Sequence, residues 1–246
     1  MLSRLDDAFT AQKQFSASAA HELRTPLAVM QTNLEVFARK KTPTIEEYQD
    51  IFGMIQNQTE RLSHLSEVLL DMTGIQSVER SDFISLAELT DEVCCDLASI
   101  ADQKKVELIQ EEGDCTVTGS YLLLYRAVYN LVENAIKYNH SGGKVTVKIS
   151  QTKALPAAHS KPADYALVEV TDTGIGISPE YQEKIFAPFF RVDKSRSRAM
   201  GGAGLGLALV AEIARQHGGQ VKVLASSKKG STIALMLPIN SPLIEI

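Results

Sequence analysis

The sequence predicts two domains of different class: an N-terminal helical hairpin of the kind that forms a four-helix bundle, then an α/β domain with a mixed sheet. Three observations carry this. Apolar or small residues recur at alternating steps of three and four from Leu2 to Phe37, and again from Tyr48 to Met72. A break at Lys41-Thr-Pro-Thr44 separates the two runs. Beyond residue 82 the texture changes to short β-branched runs interleaved with helical stretches, the pattern of a sheet layered with helices.

Each element follows from local chemistry. Residues 1–40 read as one helix, Ala-rich and free of glycine. Its seam runs through Leu23, Leu27, Met30, Leu34 and Phe37, and Pro26 is expected to kink it. Thr44 followed three residues later by Glu47 is a capping box that opens the second helix. Gly74 is a stop signal for it. A lone hairpin cannot cover two apolar stripes, so a homodimer is expected. Residues 75–82 read as a linker, with the domains set at 1–77 and 82–246 and the joint at 78–81. A helix is expected over 85–105, short strands at 106–109 and 115–118, and a strong helix over 120–139. Lys144–Ser150 alternates with period two and is β-branched, so it reads as a strand, paired antiparallel with 166–171 across a hairpin loop at 151–165. A helix over 204–217 and strands at 220–225 and 231–237 complete the domain, with the helices expected on one face of the sheet.

Bulk properties exclude several classes. The net charge of −5 gives no basic footprint, so direct nucleic-acid binding is not expected. Three cysteines, with Cys94 and Cys95 adjacent and Cys115 alone, form no disulfide framework or metal-binding spacing. No run of residues has the ~18–20 apolar side chains that span a bilayer.

Five segments carry chemistry. His21 stands mid-helix in His-Glu-Leu-Arg-Thr-Pro-Leu and points away from the Leu23 seam. An exposed histidine on a helix is usually only solvated, but Glu22 beside it can orient the ring and accept its proton. Thr25 lies one turn along, where its hydroxyl can position a water. Asn130, Asn134 and Lys137 share a helix face, two amides and an ammonium suited to a hydrated Mg²⁺ and a polyphosphate. Asp172-Thr-Gly174-Ile-Gly176 follows a strand, and a shielded carboxylate there can accept from an exocyclic amine. Phe186-Ala-Pro-Phe-Phe-Arg191 brings an arginine able to stabilise charge on a phosphoryl group, while Arg196 and Arg198 read as a solvated loop. Gly201-Gly202-Ala-Gly204-Leu205-Gly206-Leu207 enters a helix and can present backbone N–H groups to phosphate. No Walker A or Rossmann fingerprint is present. A lone Asp-x-Gly-x-Gly is weak, but the ordered set is highly specific.

In these motifs the chain resembles the sensor histidine kinases of bacterial two-component systems, over nearly its whole length. His21–Leu27 resembles their H-box, Asn130–Asn139 the N-box, Asp172–Ile177 the first glycine box, Phe186–Arg191 the F-box and Gly202–Leu207 the second glycine box. The resemblance implies a dimerisation and phosphotransfer domain, then an α/β sandwich ATP-binding domain shared with gyrase-type ATPases and Hsp90. It implies ATP and Mg²⁺ as cofactors, autophosphorylation of His21, and transfer to an aspartate of a response regulator. Asn134 would ligate Mg²⁺, Asp172 bind the adenine amine, and Lys137 and Tyr138 approach phosphate or ribose. Gly174, Gly176, Gly202, Gly204, Leu205, Gly206, Leu207 and Thr232 would complete the ATP site, and Arg191 would face the γ-phosphate. Asn130 falls where gyrase-type relatives carry a water-activating glutamate, and an amide cannot be that base. Glu22 and Thr25 match the pattern associated with dephosphorylating the regulator. Asp193–Ala203 resembles the ATP lid, with Ala203 departing from the usual threonine or serine. The resemblance also implies a cytoplasmic piece of a membrane-anchored receptor whose sensor region precedes residue 1. A serine kinase or ATPase of the gyrase type, or a non-catalytic dimeric scaffold, are the rival classes. The His21-Glu22 helix and the amide at Asn130 oppose the first; the complete glycine boxes oppose the second.

Overall fold

The computed structural model describes residues 2–75, 78–154, 163–192 and 203–239. The chain divides into two compact units, with a boundary between Thr73 and Gly74.

The first unit is a hairpin of α1 (Leu2–Ala38) and α2 (Ile45–Gly74). Helix α1 runs unbroken through Pro26. The capping box at the start of α2 is formed in both directions. Glu47 N–H donates to Thr44 Oγ1 at 3.3 Å, and Thr44 N–H donates to Glu47 Oε2 at 3.0 Å, so two otherwise orphaned donors are satisfied. Phe37 and Tyr48 meet edge to face beside the turn. Among the described residues no helix is long and apolar enough to cross a membrane.

The second unit is an α/β body. Its elements are β1 (Asp82–Ser85), α3 (Leu86–Lys104), β2 (Glu107–Gln110), β3 (Thr116–Gly119), α4 (Tyr121–Lys137), β4 (Lys144–Ala154), β5 (Ala163–Asp172), α5 (Gly206–Gln216), β6 (Gln220–Ser227) and β7 (Gly230–Pro238). Among the described residues, five strands form one mixed sheet in the order β2-β4-β5-β7-β6, in which only β2 and β4 pair in parallel. The three helices lie side by side, α3 on α4 and α4 on α5, and pack on this sheet. Along β4 the buried Val145, Val147 and Ile149 alternate with more open residues, and their partners Val170 and Val168 on β5 are also buried. One sheet face is thus core, as period-two patterning requires. Tyr121 and Tyr125 on α4 donate their hydroxyls to Glu92 and Asp96 on α3.

Three features differ from the sequence reading. Asp82 is not linker: it begins β1, which pairs antiparallel with β3 in a second, two-stranded sheet. Four residues with exposed Asp82 and Phe83 give no alternation to detect. The expected loop at 151–165 is shorter, because β4 and β5 continue to pair as far as Ala154 and Ala163; residues 155–162 of that loop lie outside the described residues. The short strands β2 and β3 each sit one residue later than expected.

Candidate active site

The α/β body gathers most of the expected nucleotide-site residues at one end of its sheet. Asp172 closes β5, and its Oδ1 accepts the Gly174 N–H at 2.7 Å. A backbone N–H of Ser231 also reaches this carboxylate. Burial pushes the Asp172 carboxyl above its ordinary range, and the two N–H groups oppose that shift. A charge with two fixed donors and little water is a ready acceptor for a further N–H.

Close backbone approaches bring the other motifs to this aspartate. Ile175 N–H donates to Tyr138 O at 3.3 Å, just beyond the end of α4. A Cβ on Gly174 would strike that same carbonyl, so the turn after β5 can sit on α4 only with glycine there. Asn130 and Asn134 lie one turn apart on α4, and each donates Nδ2 to the carbonyl one turn back, Arg126 O at 2.8 Å and Asn130 O at 2.7 Å. These bonds turn each amide oxygen away from the helix backbone. Gly206 opens α5 directly against them: a Cβ there would meet Asn130 Oδ1 and approach Asn134 Nδ2. Gly204 O accepts the Phe189 N–H at 2.8 Å, and the stem of Arg191 lies beside Gly204. Leu205 is buried and Leu207 half-buried. Tyr138 and Lys137 end α4, where Lys137 O accepts from Lys104 Nζ at 2.7 Å. Gly202, Arg196, Arg198 and the lid segment 193–202 lie outside the described residues.

Thr232 lies on the face of β7 opposite to Ser231. The register pairs Asp172 with Ser231 and Thr171 with Thr232. Successive side chains on a strand point to opposite faces, so Thr232 meets the Thr171 hydroxyl at 3.0 Å on the face away from Asp172. Ser231 takes the place beside the aspartate. Its hydroxyl is 2.9 Å from that of Ser226, which accepts the Ile177 N–H at 2.7 Å. Ser226 and Ser231 therefore anchor the first glycine turn. The signal for them was pairing register, which local motif reading does not contain.

In the helical unit His21 is exposed on α1. It shares an open groove with Arg24, Thr25, Ala28, Val29 and Thr32. Thr25 Oγ1 donates to His21 O at 3.0 Å, a bond within the helix. Glu22 Oε2 accepts from Arg61 Nη2 of α2 at 3.3 Å. Arg61 lies 39 positions away in sequence, and nothing local marks it as a partner.

An α/β body with a shielded aspartate, two outward amides and a glycine-led helix, joined to a hairpin with a solvent-facing histidine, has the architecture of a two-domain phosphotransfer kinase core. Residues 119–241 match the family described as Histidine kinase-, DNA gyrase B-, and HSP90-like ATPase, and residues 11–77 match the His Kinase A (phospho-acceptor) domain. The chain is 33% identical over 238 residues to sensor histidine kinase RppB of Synechocystis sp., covering 95% of this chain and 50% of RppB. It is 32% identical to sensor-like histidine kinase SenX3 of Mycobacterium tuberculosis (93% of this chain, 54% of SenX3). It is 31% identical to sensor histidine kinase CusS of Escherichia coli (97% and 48%). The chain thus spans about half the length of the curated relatives it matches. Two solved structures share its fold. Histidine kinase AdeS of Acinetobacter baumannii has a TM-score of 0.67 at 22% identity, covering 90% of this chain and 98% of that one. Histidine kinase ThkA, solved with response regulator protein TrrA, has a TM-score of 0.70 at 21% identity, covering 96% and 64%. The chain belongs to the sensor histidine kinases of bacterial two-component systems.

Proposed function

We propose that this chain is a kinase core that transfers the γ-phosphoryl group of ATP to its own His21, and then to an aspartate of a response regulator. The observation that carries the reading is the meeting of Gly206 with Asn130 and Asn134. It sets the N-terminus of α5, whose first N–H groups have no acceptor within the helix, beside the Asn130 amide oxygen and the Asn134 amide. An anion favours the first and a hard cation the second. ATP-Mg²⁺ fits this cradle: the start of α5 and Arg191 would hold phosphates, Asn134 the cation, and Asp172 with Ser231 the adenine edge. Bound Mg²⁺ would supply charge neutralisation along the polyphosphate.

In the transfer, one ring nitrogen of neutral His21 forms the new N–P bond. The bond from γ-phosphorus to its bridging oxygen breaks, and ADP leaves with that electron pair. The proton on the other ring nitrogen passes to Glu22, the adjacent carboxylate. Asn130 cannot act as a base toward water, which favours transfer over hydrolysis. Glu22 and Thr25 also support a regulator phosphatase activity, with Thr25 positioning the water. The exposed apolar residues of the hairpin support a homodimer. The length of the relatives supports a longer sensor protein, and the same reading makes this chain the cytoplasmic part of a membrane-anchored receptor.

Incubation with γ-labelled ATP and Mg²⁺ tests the reading. Acid-labile, base-stable label is expected on the wild type and none on His21→Gln. Label that survives in His21→Gln overturns the acceptor assignment. Acid-stable label points instead to a serine kinase, and nucleotide binding without label to a scaffold.

A further inference from the structure

Glu22 and His21 are neighbours in sequence, but adjacent side chains on a helix do not face each other. A long, flexible carboxylate at that position needs something to fix its direction if it is to serve the imidazole. The hairpin supplies it. Arg61 Nη2 reaches Glu22 Oε2 at 3.3 Å, and the two side chains are only 13% and 14% exposed. Other polar pairs of the hairpin, Gln31 with Glu35 and Gln56 with Glu60, are exposed and lie within one helix. The Glu22–Arg61 pair joins the two helices and is largely shielded from water. A shielded ion pair is seldom more stabilising than apolar residues of similar volume. What it does provide is direction, and here it provides it one residue from the acceptor. The guanidinium is suited to this because its planar fork is rigid and always charged.

We propose that Arg61 is a positioning residue for His21 phosphorylation: it holds the Glu22 carboxylate in the orientation from which the imidazole proton is accepted. Arg61 touches neither nucleotide nor phosphoryl group in this role and acts only through Glu22. The proposal rests on His21 being the acceptor, and it adds a determinant on the second helix that the phosphoacceptor segment does not contain.

A double-mutant cycle on the full chain tests it. Initial rates of labelling by γ-labelled ATP and Mg²⁺ are measured for wild type, Arg61→Gln, Arg61→Lys, Glu22→Gln and the double variant Glu22→Gln/Arg61→Gln. Nucleotide affinity and helix content are followed alongside. Arg61→Gln is expected to slow labelling about tenfold with nucleotide affinity unchanged, less than the roughly hundredfold that a fully misplaced group can cost. Arg61→Lys should recover part of the rate, because it keeps the charge and loses the fork. The double variant should be no slower than Glu22→Gln alone. Independent, multiplying losses would show that Arg61 acts structurally and overturn the proposal, as would an Arg61→Gln rate equal to wild type. A wild type that takes no label rejects the kinase reading and this proposal together, whereas a labelled wild type with an additive cycle rejects only the role of Arg61.

Discussion

The two units of this chain bury their apolar side chains very differently. In the α/β body Val93, Leu97, Val128 and Val132 are completely buried, whereas the hairpin leaves Leu27 at 52%, Phe52 at 67% and Leu70 at 67% exposure. Helix α4 has neighbours on several sides, α3, α5 and the sheet. A two-helix hairpin has only one internal interface, so part of each apolar stripe stays open until another surface covers it. One unit covers its own core, and the other leaves apolar side chains open. This suits their proposed roles: a nucleotide site requires fixed walls, whereas an acceptor helix must present its histidine to more than one protein.

The comparison can be broken at several points, in order of expected effect. Leu97→Ala should destabilise the body by about 2–5 kcal/mol, the usual cost of a large-to-small change in a packed core, seen as a large fall in its melting temperature. Asp172→Asn should weaken ADP or ATP binding at least about tenfold, roughly 1.4 kcal/mol, in a calorimetric titration while the circular dichroism spectrum is retained. An unchanged affinity would remove Asp172 from the site. The hairpin should behave differently again. Its melting transition should rise with protein concentration as mass action on a dimer requires, while the body's transition stays fixed. A concentration-independent hairpin would refute the second-copy reading.

Acid should act on the body through His217. Its Nε2 accepts the Ser120 N–H at 3.1 Å, and its Nδ1 is 2.8 Å from Ile213 O, so the neutral ring with the proton on Nδ1 satisfies both contacts. Burial, with Arg80 nearby, holds this imidazole below its ordinary value of 6.5, and the contact with Ile213 only partly offsets that. In the window between the lowered folded value and 6.5 the unfolded chain binds the extra proton, so stability is lost as pH falls below 6.5. His217→Gln should flatten that dependence in melts from pH 7 downward. The smallest expected effect is at the hairpin turn, where Thr44→Ala should cost about 1 kcal/mol through loss of the cap, read as a lower hairpin melting temperature.

Much of this molecule was legible locally because the signals are local. The steps of three and four located α1 and α2, the Thr44–Glu47 box set the start of α2, and the β-branched alternation found β4. Gly174 and Gly206 could be singled out by type alone, since each stands where a backbone must come close. What stayed illegible is non-local. Strand β1 is four residues long and is defined by its pairing with β3. Ser231 gave no signal, because motif spacing does not say which side of a pleat faces Asp172. His217 gave no signal, since its partner Ser120 is 97 residues away.

The sequence by itself determined the two-domain order, the helical class of the first domain, the mixed class of the second and the family, because periodicity, caps and glycine spacing are written in neighbouring residues. Only the tertiary structure decided that Ser231 and Ser226 support the Asp172 turn, that Gly206 rests on Asn130 and Asn134, and that Arg61 holds Glu22. Those contacts join residues distant in the chain, and it is strand register and helix packing that bring them within a few ångströms of each other.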